Sequence, residues 1–446
     1  MNILIIGAGE VGVHLTQRLS AEKHNITIIE KDPEEARRAR EQLDAVVVVG
    51  SGSSFEDLKK ANIENADVFV ALSNVDEVNL LGCRFAQKIG VPHKIARVRN
   101  PEYTKADFVL SKEEMGIDLL IHPEKETADA IVRLIRQSSA TDIMEFAGGK
   151  IQLLGVRLES NSSILLKPLK EIWQKHKDLR ARIVAITRKE QTIIPRGDDL
   201  LVAGDQVFFI CEEESIPGIL QLTGKQNVTI EDIMILGGGL IGQFVANAFQ
   251  EEINIKIIES RFDKSEEIAD ALRKTLVIHG DGTDIDLLAA EGIIDMDCFI
   301  AVTGDDEINI ISSLMARHLR VPRTIALVNK TEYIPITSSI GMDAVVSKKL
   351  LTVNAIIRFI QSSTFETIAT IPGVAAEIIE IIPHINSKIT KKPLKDIRFP
   401  RSAIVGAVRR DNEVIIPTGA THIRAEDRVV IFSSPFALAD VEKLFE

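Results

Sequence analysis

The sequence predicts an α/β protein: two tandem doubly wound parallel sheets, each followed by a small β-rich α+β lobe. Three observations predict it. A glycine-rich phrase occurs twice, as "MNILIIGAGEVG" and "EDIMILGGGLIG". Short β-rich runs alternate with helical stretches after each copy, the pattern of a parallel sheet covered on both faces. Each alternating region then gives way to a shorter segment rich in strands and turns.

The repeat is settled first, because it controls every later assignment. Gly7, Gly9 and Gly12 fall on Gly237, Gly239 and Gly242 when the chain is shifted by 230 residues. At the same shift "GSGSS" falls on "GDGTD", "ALSNVDEVNLLGCRFAQKIGVP" on "AVTGDDEINIISSLMARHLRVP", and "ARVRNPEY" on "ALVNKTEY". The shift then shortens to 225 at "KPLKEI" and "KPLKDI", and to 222 at "IIPRGDDLLVAGDQVFFI" and "IIPTGATHIRAEDRVVIF". The chain is a duplication of a unit of about 225 residues.

In the first unit the elements follow in order. "NILII" is a strand, and a helix runs from Val11 to about Glu22. "NITIIE", the helix "PEEARRAREQL", "AVVVV", a short helix at "FEDLKKA", "DVFVALS", the helix "EVNLLGCRFAQKIG" and "KIARVR" complete the first part. A linking helix near "EKETADAIVRLIRQS" carries Ala130, Ile131, Leu134 and Ile135 on one face. The small lobe holds "IQLLGVRL", a helix near "LLKPLKEIWQKH", "ARIVAITR", and "QTIIPRGDDLLVAGDQVFFI", whose last pieces read as a β-hairpin. The expected lobes are 1–140, 141–224, 229–362 and 363–446, with the join near "LTGKQNVTIED".

Composition narrows the function. Of the 446 residues 45% are hydrophobic and only 4% aromatic, which suits Ile/Val-rich strands buried on both faces. A formal net charge of −12 with no basic block argues against a nucleic-acid partner. Cys83, Cys211 and Cys298 form no C-x-x-C and read as buried apolar residues; no metal site is expected. No apolar run reaches the ~20 residues of a membrane helix, so the chain is expected to be soluble or peripheral to a membrane.

The glycines have separate duties in a dinucleotide fingerprint. The first makes a tight turn after the strand, the second lets the backbone approach a pyrophosphate, and the third packs helix on strand. The phosphates then meet the helix N-terminus. Both copies follow an apolar strand and open a helix, as a Rossmann-like unit requires. The second strand of each unit ends in an acid, Glu30 or Glu259. A carboxylate there accepts ribose hydroxyls and repels a 2′-phosphate, favouring NAD or an adenosine nucleotide over NADP. Gly50 and Ser51 end the third strand of one unit; Gly280 and Asp281 end that of the other, where Asp281 could meet an adenine edge. The acids of "SNVDE" and "TGDDE" could line the cleft or equally cap the next helix.

The rival function is a nicotinamide-dependent oxidoreductase. That chemistry needs an acid–base group over the ring. His14 occurs in one unit only, and Tyr103 and Tyr333 sit in short loops without an S-x-x-x-Y-x-x-x-K pattern. No catalytic residue is assigned.

These phrases in this order, with "IIES", "HGDGTD", "IVGAVRR" and "DVEKLFE", resemble the TrkA family of Trk potassium-uptake systems over the whole chain. That family is built of two tandem RCK (regulator of K⁺ conductance) modules, each with a Rossmann-like lobe and a β-rich C-terminal lobe. The resemblance implies a nucleotide-binding subunit that gates a separate membrane potassium channel or transporter. The implied ligand is NAD(H), with ATP or ADP as further candidates. The implied site comprises Gly7, Ala8, Gly9, Glu10, Val11, Gly12, Glu30, Gly50, Ser51, Ser73, Asn74 and Arg97 in the first unit. In the second it comprises Gly237, Gly238, Gly239, Leu240, Ile241, Gly242, Glu259, Gly280, Asp281 and Thr303. It also implies a homodimer forming a four-lobe ring at the cytoplasmic face of the plasma membrane. The small lobes are the expected pairing surfaces, because strand-rich lobes that small gain core by packing on a neighbour. One departure is visible: Leu327 stands where the first unit has Arg97, so the second site lacks that cation.

Overall fold

The computed structural model describes residues 1–445 except 106–107, 138–139, 147–148, 177, 190, 226–228, 361–366, 372–373 and 412. The predicted join between the repeats and the predicted 362/363 boundary fall partly or wholly on residues outside that set. The chain forms two compact units, Met1–Thr127 with Lys348–Ile360, and Ala128–Ser347 with Gln361–Glu446.

The first unit holds a six-stranded parallel sheet of β1 (Asn2–Ile6), β2 (Asn25–Glu30), β3 (Val46–Val49), β4 (Val68–Ala71), β5 (His93–Arg97) and β6 (Leu119–Ile121). Their order is β3-β2-β1-β4-β5-β6. The order reverses between β1 and β4, and ligands bind at such a switch point beyond the strand C-termini. Helices α1 (Glu10–Ala21), α2 (Pro33–Gln42), α3 (Phe55–Lys60) and α4 (Asp76–Ile89) connect the strands. Helix α2 starts where it does because Asp32 accepts the amides of Glu34 and Glu35 at 2.8 and 3.1 Å, with Pro33 in the first turn. Helix α4 stops at Gly90, whose φ of +97° suits a residue without Cβ. Leu4, Ile6, Ile29, Phe69 and Ala71 lie in one continuous core under α3 and α4.

The chain passes to the second unit within α5 (Pro123–Arg136). Strands β7 (Asp142–Phe146), β8 (Ile151–Arg157), β9 (Ala181–Arg188), β10 (Gln191–Ile193) and β11 (Gln206–Cys211) form an antiparallel sheet ordered β10-β9-β11-β8-β7. Helices α6 (Leu169–Lys175) and α7 (Ile216–Leu222) accompany it. The hairpin expected from "QTII" to "VFFI" does not form. β10 instead turns back on β9, and β11 inserts between β9 and β8. Polarity and turn residues mark where a strand ends, but not which neighbour it joins.

The second parallel sheet repeats the first: β12 (Asp232–Leu236), β13 (Asn254–Glu259), β14 (Thr275–His279), β15 (Cys298–Ala301), β16 (Arg323–Leu327) and β17 (Ala344–Val346), ordered β14-β13-β12-β15-β16-β17. Helices α8 (Leu240–Phe249), α9 (Phe262–Ala271), α10 (Ile285–Ala290), α11 (Asp306–His318) and α12 (Ile334–Ser339) belong to it. Helix α13 (Lys348–Ile360) follows in sequence, yet it packs on α1 and β6 of the first unit. The second small sheet comprises β18 (Thr367–Thr370), β19 (Glu377–Ile381), β20 (Ala403–Arg410), β21 (Glu413–Ile415) and β22 (Arg428–Ser433), ordered β18-β19-β22-β20-β21, with α14 (Leu438–Phe445) at its end. No counterpart of α6 forms; Leu394–Asp396 makes a single 3₁₀ turn. The shortening of the repeat from 225 to 222 removes three residues there, nearly one helical turn.

The two small sheets share one core. Phe208, Ile210, Val184 and Leu153 of the first pack with Ile378, Ala407, Val430 and Phe432 of the second, all at most 0% exposed. The sheets meet closely at Gly406, where a Cβ would lie 3.0 Å from Val184 Cγ1. The neighbour that covers this face of each small lobe is the other small lobe of the same chain. No helix is long and apolar enough to cross a membrane among the described residues.

Candidate functional site

At the switch point of the first sheet, the three glycines differ in what they permit. Gly7 has φ +99°. A Cβ on Gly12 would lie 2.1 Å from Gly7 O, so only glycine lets α1 approach the turn. A Cβ on Gly9 would meet nothing within 4 Å, so this glycine faces open space, as a backbone that admits a ligand must. The first helical hydrogen bond runs from Val13 N to Gly9 O at 2.9 Å. The amides of Glu10, Val11 and Gly12 ahead of it form the N-terminal turn, where the helix dipole favours an anion.

Glu30 ends β2 beside this turn. Its Oε2 accepts the Ala8 amide at 2.6 Å, and its Oε1 the Asp32 amide at 2.9 Å. Gly50 and Ser51 follow β3, held by Asp57, whose Oδ2 accepts the Ser51 amide at 3.1 Å. Ser73 and Asn74 follow β4. Asn79 receives the Ser73 amide at 2.9 Å and donates to Arg97 O at 2.8 Å, tying the ends of β4 and β5 together. Arg97 donates to Asn74 Oδ1 at 3.1 Å, while its buried Nε meets no acceptor. Burial lowers the Arg97 pKa, offset in part by Glu124. A half-buried guanidinium with an unused donor fits an anionic ligand at this end of the cleft.

Of three further residues here, Asn79, Asp76 and Glu124, the second is one of the acids of "SNVDE"; the other two were not singled out from the sequence. Asn79 bridges two strand ends. Asp76 accepts the amides of Arg99 and Asn100 at 2.8–3.0 Å and shapes the loop after β5. Glu124 pairs with Lys348 at 3.3 Å and lies near His122. Burial alone would raise its carboxyl, but the His122 hydrogen bond and the Lys348 charge bring it down to about 2. The repeat itself signalled the first two: Asn309 and Asp306 make the same contacts in the second copy.

The second site repeats this frame with different chemistry. Gly237 has φ +109°, Gly242 again abuts Gly237 O, and Gly239 faces open space. Leu240 and Ile241 begin α8. Gly238 replaces Ala8, and a Cβ there would lie 2.4 Å from Ile268 Cδ1. Glu259 is only 6% exposed. Its Oε2 accepts Gly238 N at 3.1 Å and Lys264 Nζ at 2.7 Å; its Oε1 accepts Arg261 N at 3.0 Å and Ser260 Oγ at 3.4 Å. Gly280 packs against Leu287, and Asp281 accepts Thr283 N and Oγ1 at 2.9 and 2.8 Å. Thr303 is bound to Asn309 at 2.8 Å. The alternative left open for the acids after the fourth strand divides between them: Asp305 caps α11 through Ile308 N, whereas Asp76 and Asp306 hold the following loop.

The three cysteines are buried, and burial pushes each thiol up to about 12. Among the described residues no group of His, Cys, Asp and Glu has metal-binding geometry. A wide cleft of about 940 Å³ in the second unit lies away from the glycine turns, between Glu145, Arg180, Glu212, Arg410 and Glu413. In it Arg180 pairs with Glu212 at 3.0 Å and Arg410 with Asp427 at 2.8 Å.

Comparison with known proteins agrees with this architecture. The TrkA-N domain model matches residues 3–123 and 233–348, and the TrkA-C domain model matches 153–224 and 378–446. The chain is 37% identical to "Trk system potassium uptake protein TrkA homolog 1" of Methanosarcina mazei, over 100% of both chains. It is 33% identical to "Trk system potassium uptake protein TrkA" of Azorhizobium caulinodans, over 100% of this chain and 98% of that one. Among solved structures, the GsuK RCK domain superposes with a TM-score of 0.63 at 18% identity, covering 99% of this chain and 94% of that one. The GsuK channel bound to NAD gives 0.62 at 18%, covering 100% and 78%. Two nucleotide-type lobes, two small lobes in alternation and full-length identity above 30% lead to one conclusion: this chain belongs to the TrkA family.

Proposed function

We propose that this protein is the nucleotide-binding regulatory subunit of a potassium-uptake system, acting on a separate membrane potassium-translocating protein. The observation that carries the reading is the duplicated constellation of glycine turn, helix N-terminus and strand-end acid, intact in both copies. The named relatives support the potassium role, and the fold shared with GsuK supports a gating architecture.

The ligand class is NAD(H) or an adenine nucleotide. In the first site the pyrophosphate would lie on the Gly9–Val11 backbone, the adenosine ribose on Glu30, and Arg97 would face the anionic end. Ser51 and Asn74 would flank the ligand. The second site would use Gly239–Ile241, Glu259, Asp281 and Thr303. The lobes are proposed as 1–140, 141–224, 229–362 and 363–446. The protein transfers no hydride; its work is conformational. A ligand shifts channel opening only by its differential affinity for two arrangements, and a hundredfold preference supplies about 2.7 kcal/mol. A homodimer places four nucleotide lobes in a ring at the cytoplasmic membrane face, and its two-fold symmetry suits a dimeric partner.

Nucleotide titration by calorimetry, paired with potassium uptake in cells lacking the chain, tests this reading. Binding of NADH and loss of uptake are expected. A chain that binds no nucleotide, in cells whose uptake is normal without it, overturns the proposal.

A further inference from the structure

The two strand-end acids are not equivalent. An ionised carboxylate offers about four lone-pair positions. Glu30 uses two, on the amides of Ala8 and Asp32, and keeps two for the hydroxyls of a ribose diol. Glu259 already receives four donors: Gly238 N, Lys264 Nζ, Arg261 N and Ser260 Oγ. It has no acceptor capacity left for a diol.

The charges differ in the same sense. The segment from Glu30 to Glu35 carries Glu30, Asp32, Glu34 and Glu35 against Lys31 alone, a net −3. The matching segment from Glu259 to Lys264 carries Glu259 and Asp263 against Arg261 and Lys264, a net of zero. Both segments end a strand and begin a helix, β2 into α2 and β13 into α9, so Lys264 stands where the first copy has Glu35. Glu35 turns away from Glu30 and pairs with Arg38 at 2.9 Å. Lys264, 23% exposed, turns inward onto Glu259. Arg261 likewise replaces the capping Asp32, and α9 has no side-chain cap.

We infer that Lys264 determines the specificity of the second site, making it a site that takes an adenine dinucleotide bearing a 2′-phosphate as readily as one with a free ribose diol. This rests on the nucleotide-binding reading above. A 2′-phosphate brought to Glu30 meets a carboxylate with no cation bound to it among the described residues. At Glu259 it meets the ammonium of Lys264, which exchanges one carboxylate for a phosphate oxygen. Repulsion between like charges, the basis of discrimination at the first site, is cancelled at the second.

The test uses the full chain with one site blocked at a time. Gly9→Asp and Gly239→Asp each place a carboxylate where the pyrophosphate must sit, at positions with room for a side chain. NADH and NADPH are then titrated by calorimetry. With the first site alone (Gly239→Asp), NADPH should bind at least about tenfold more weakly than NADH, while with the second alone (Gly9→Asp) the two should agree within about threefold. Adding Lys264→Glu, or the milder Lys264→Ala, to the Gly9→Asp chain should move its preference toward NADH by about tenfold for the Glu variant. Equal rejection of NADPH by both sites, an unchanged ratio in both Lys264 variants, or a second site that binds neither dinucleotide while the first binds NADH overturns this inference alone. Failure of both sites to bind any nucleotide in the unblocked chain overturns the proposed function with it.

Discussion

Glu30 and Gly12 show how little space separates a residue proposed to bind a ligand from a residue that serves the fold. Glu30 spends one oxygen on the turn it adjoins, at 2.6 Å from Ala8 N, and retains acceptor capacity for a ligand. Glu30→Ala should therefore weaken NADH binding at the first site by hydrogen bonds to a charged group worth about 1.5–3 kcal/mol. Calorimetry on the Gly239→Asp background reads that loss without interference from the second site. Gly12 admits the helix to the turn. Gly12→Ala drives a methyl to 2.1 Å from Gly7 O, and overpacking of this kind costs about 1–3 kcal/mol. Gly9→Ala, with open space around its Cβ, should fold with unchanged stability. Denaturant melts of the two variants should separate clearly, and a Gly12→Ala chain as stable as the parent would contradict the packing account.

Elements carry two carboxylates, one buried and one half-buried, with opposite pH behaviour. Glu124, at the start of α5, is lowered from 4.5 to about 2. A carboxyl more acidic folded than unfolded stabilises the fold above its unfolded pKa and loses that contribution as pH falls. The first unit should weaken between about pH 4.5 and 2, and Glu124→Gln should flatten that slope. Asp142, at the start of β7, goes the other way. Burial raises it to about 6, against hydrogen bonds from Thr141 at 2.8 Å and Gln206 at 2.7 Å and the charges of Arg323 and Arg157. Its folded pKa exceeds the unfolded 3.8, so its contribution is favourable below about 4 and is lost as pH rises through 6. Asp142→Asn should make the second unit insensitive to pH across that window. Hydrogen exchange resolved by segment reads both effects in the same samples.

At the scale of the whole molecule, the duplication turns one lobe pair into an internally bonded assembly. Phe208 and Phe432 bury their rings in the core common to the two small sheets. Phe208→Ala removes a fully buried ring, and such truncations cost about 3–5 kcal/mol. The loss should appear as destabilisation of both small sheets together, since neither has another cover for that face. With this face occupied within the chain, a homodimer has to use other surface. Light scattering of Phe208→Ala at a temperature where it remains folded should give the same oligomer as the parent. Gly9→Asp, which blocks a site without disturbing packing, should reduce potassium uptake while leaving the melting curve in place.

By itself the sequence determined the repeat, the strand–helix alternation and the glycine and acid positions of both proposed sites, because each depends on neighbours a few residues away. Gly7, Gly12 and Glu30 are legible from spacing after an apolar strand. Tertiary structure alone decided which strand β10 and β11 join, since pairing depends on registry between segments far apart in sequence. It also decided that α13 packs on α1, and that the two small sheets cover one another. The acid Glu259 is equally visible in the sequence, but its saturation by Lys264 is not. Five residues along, that lysine reads as an exposed helix position; only the fold brings its ammonium to 2.7 Å from the carboxylate. Local chemistry is written in residue order, whereas the competition for each lone pair is settled by which side chains the packed chain brings within reach.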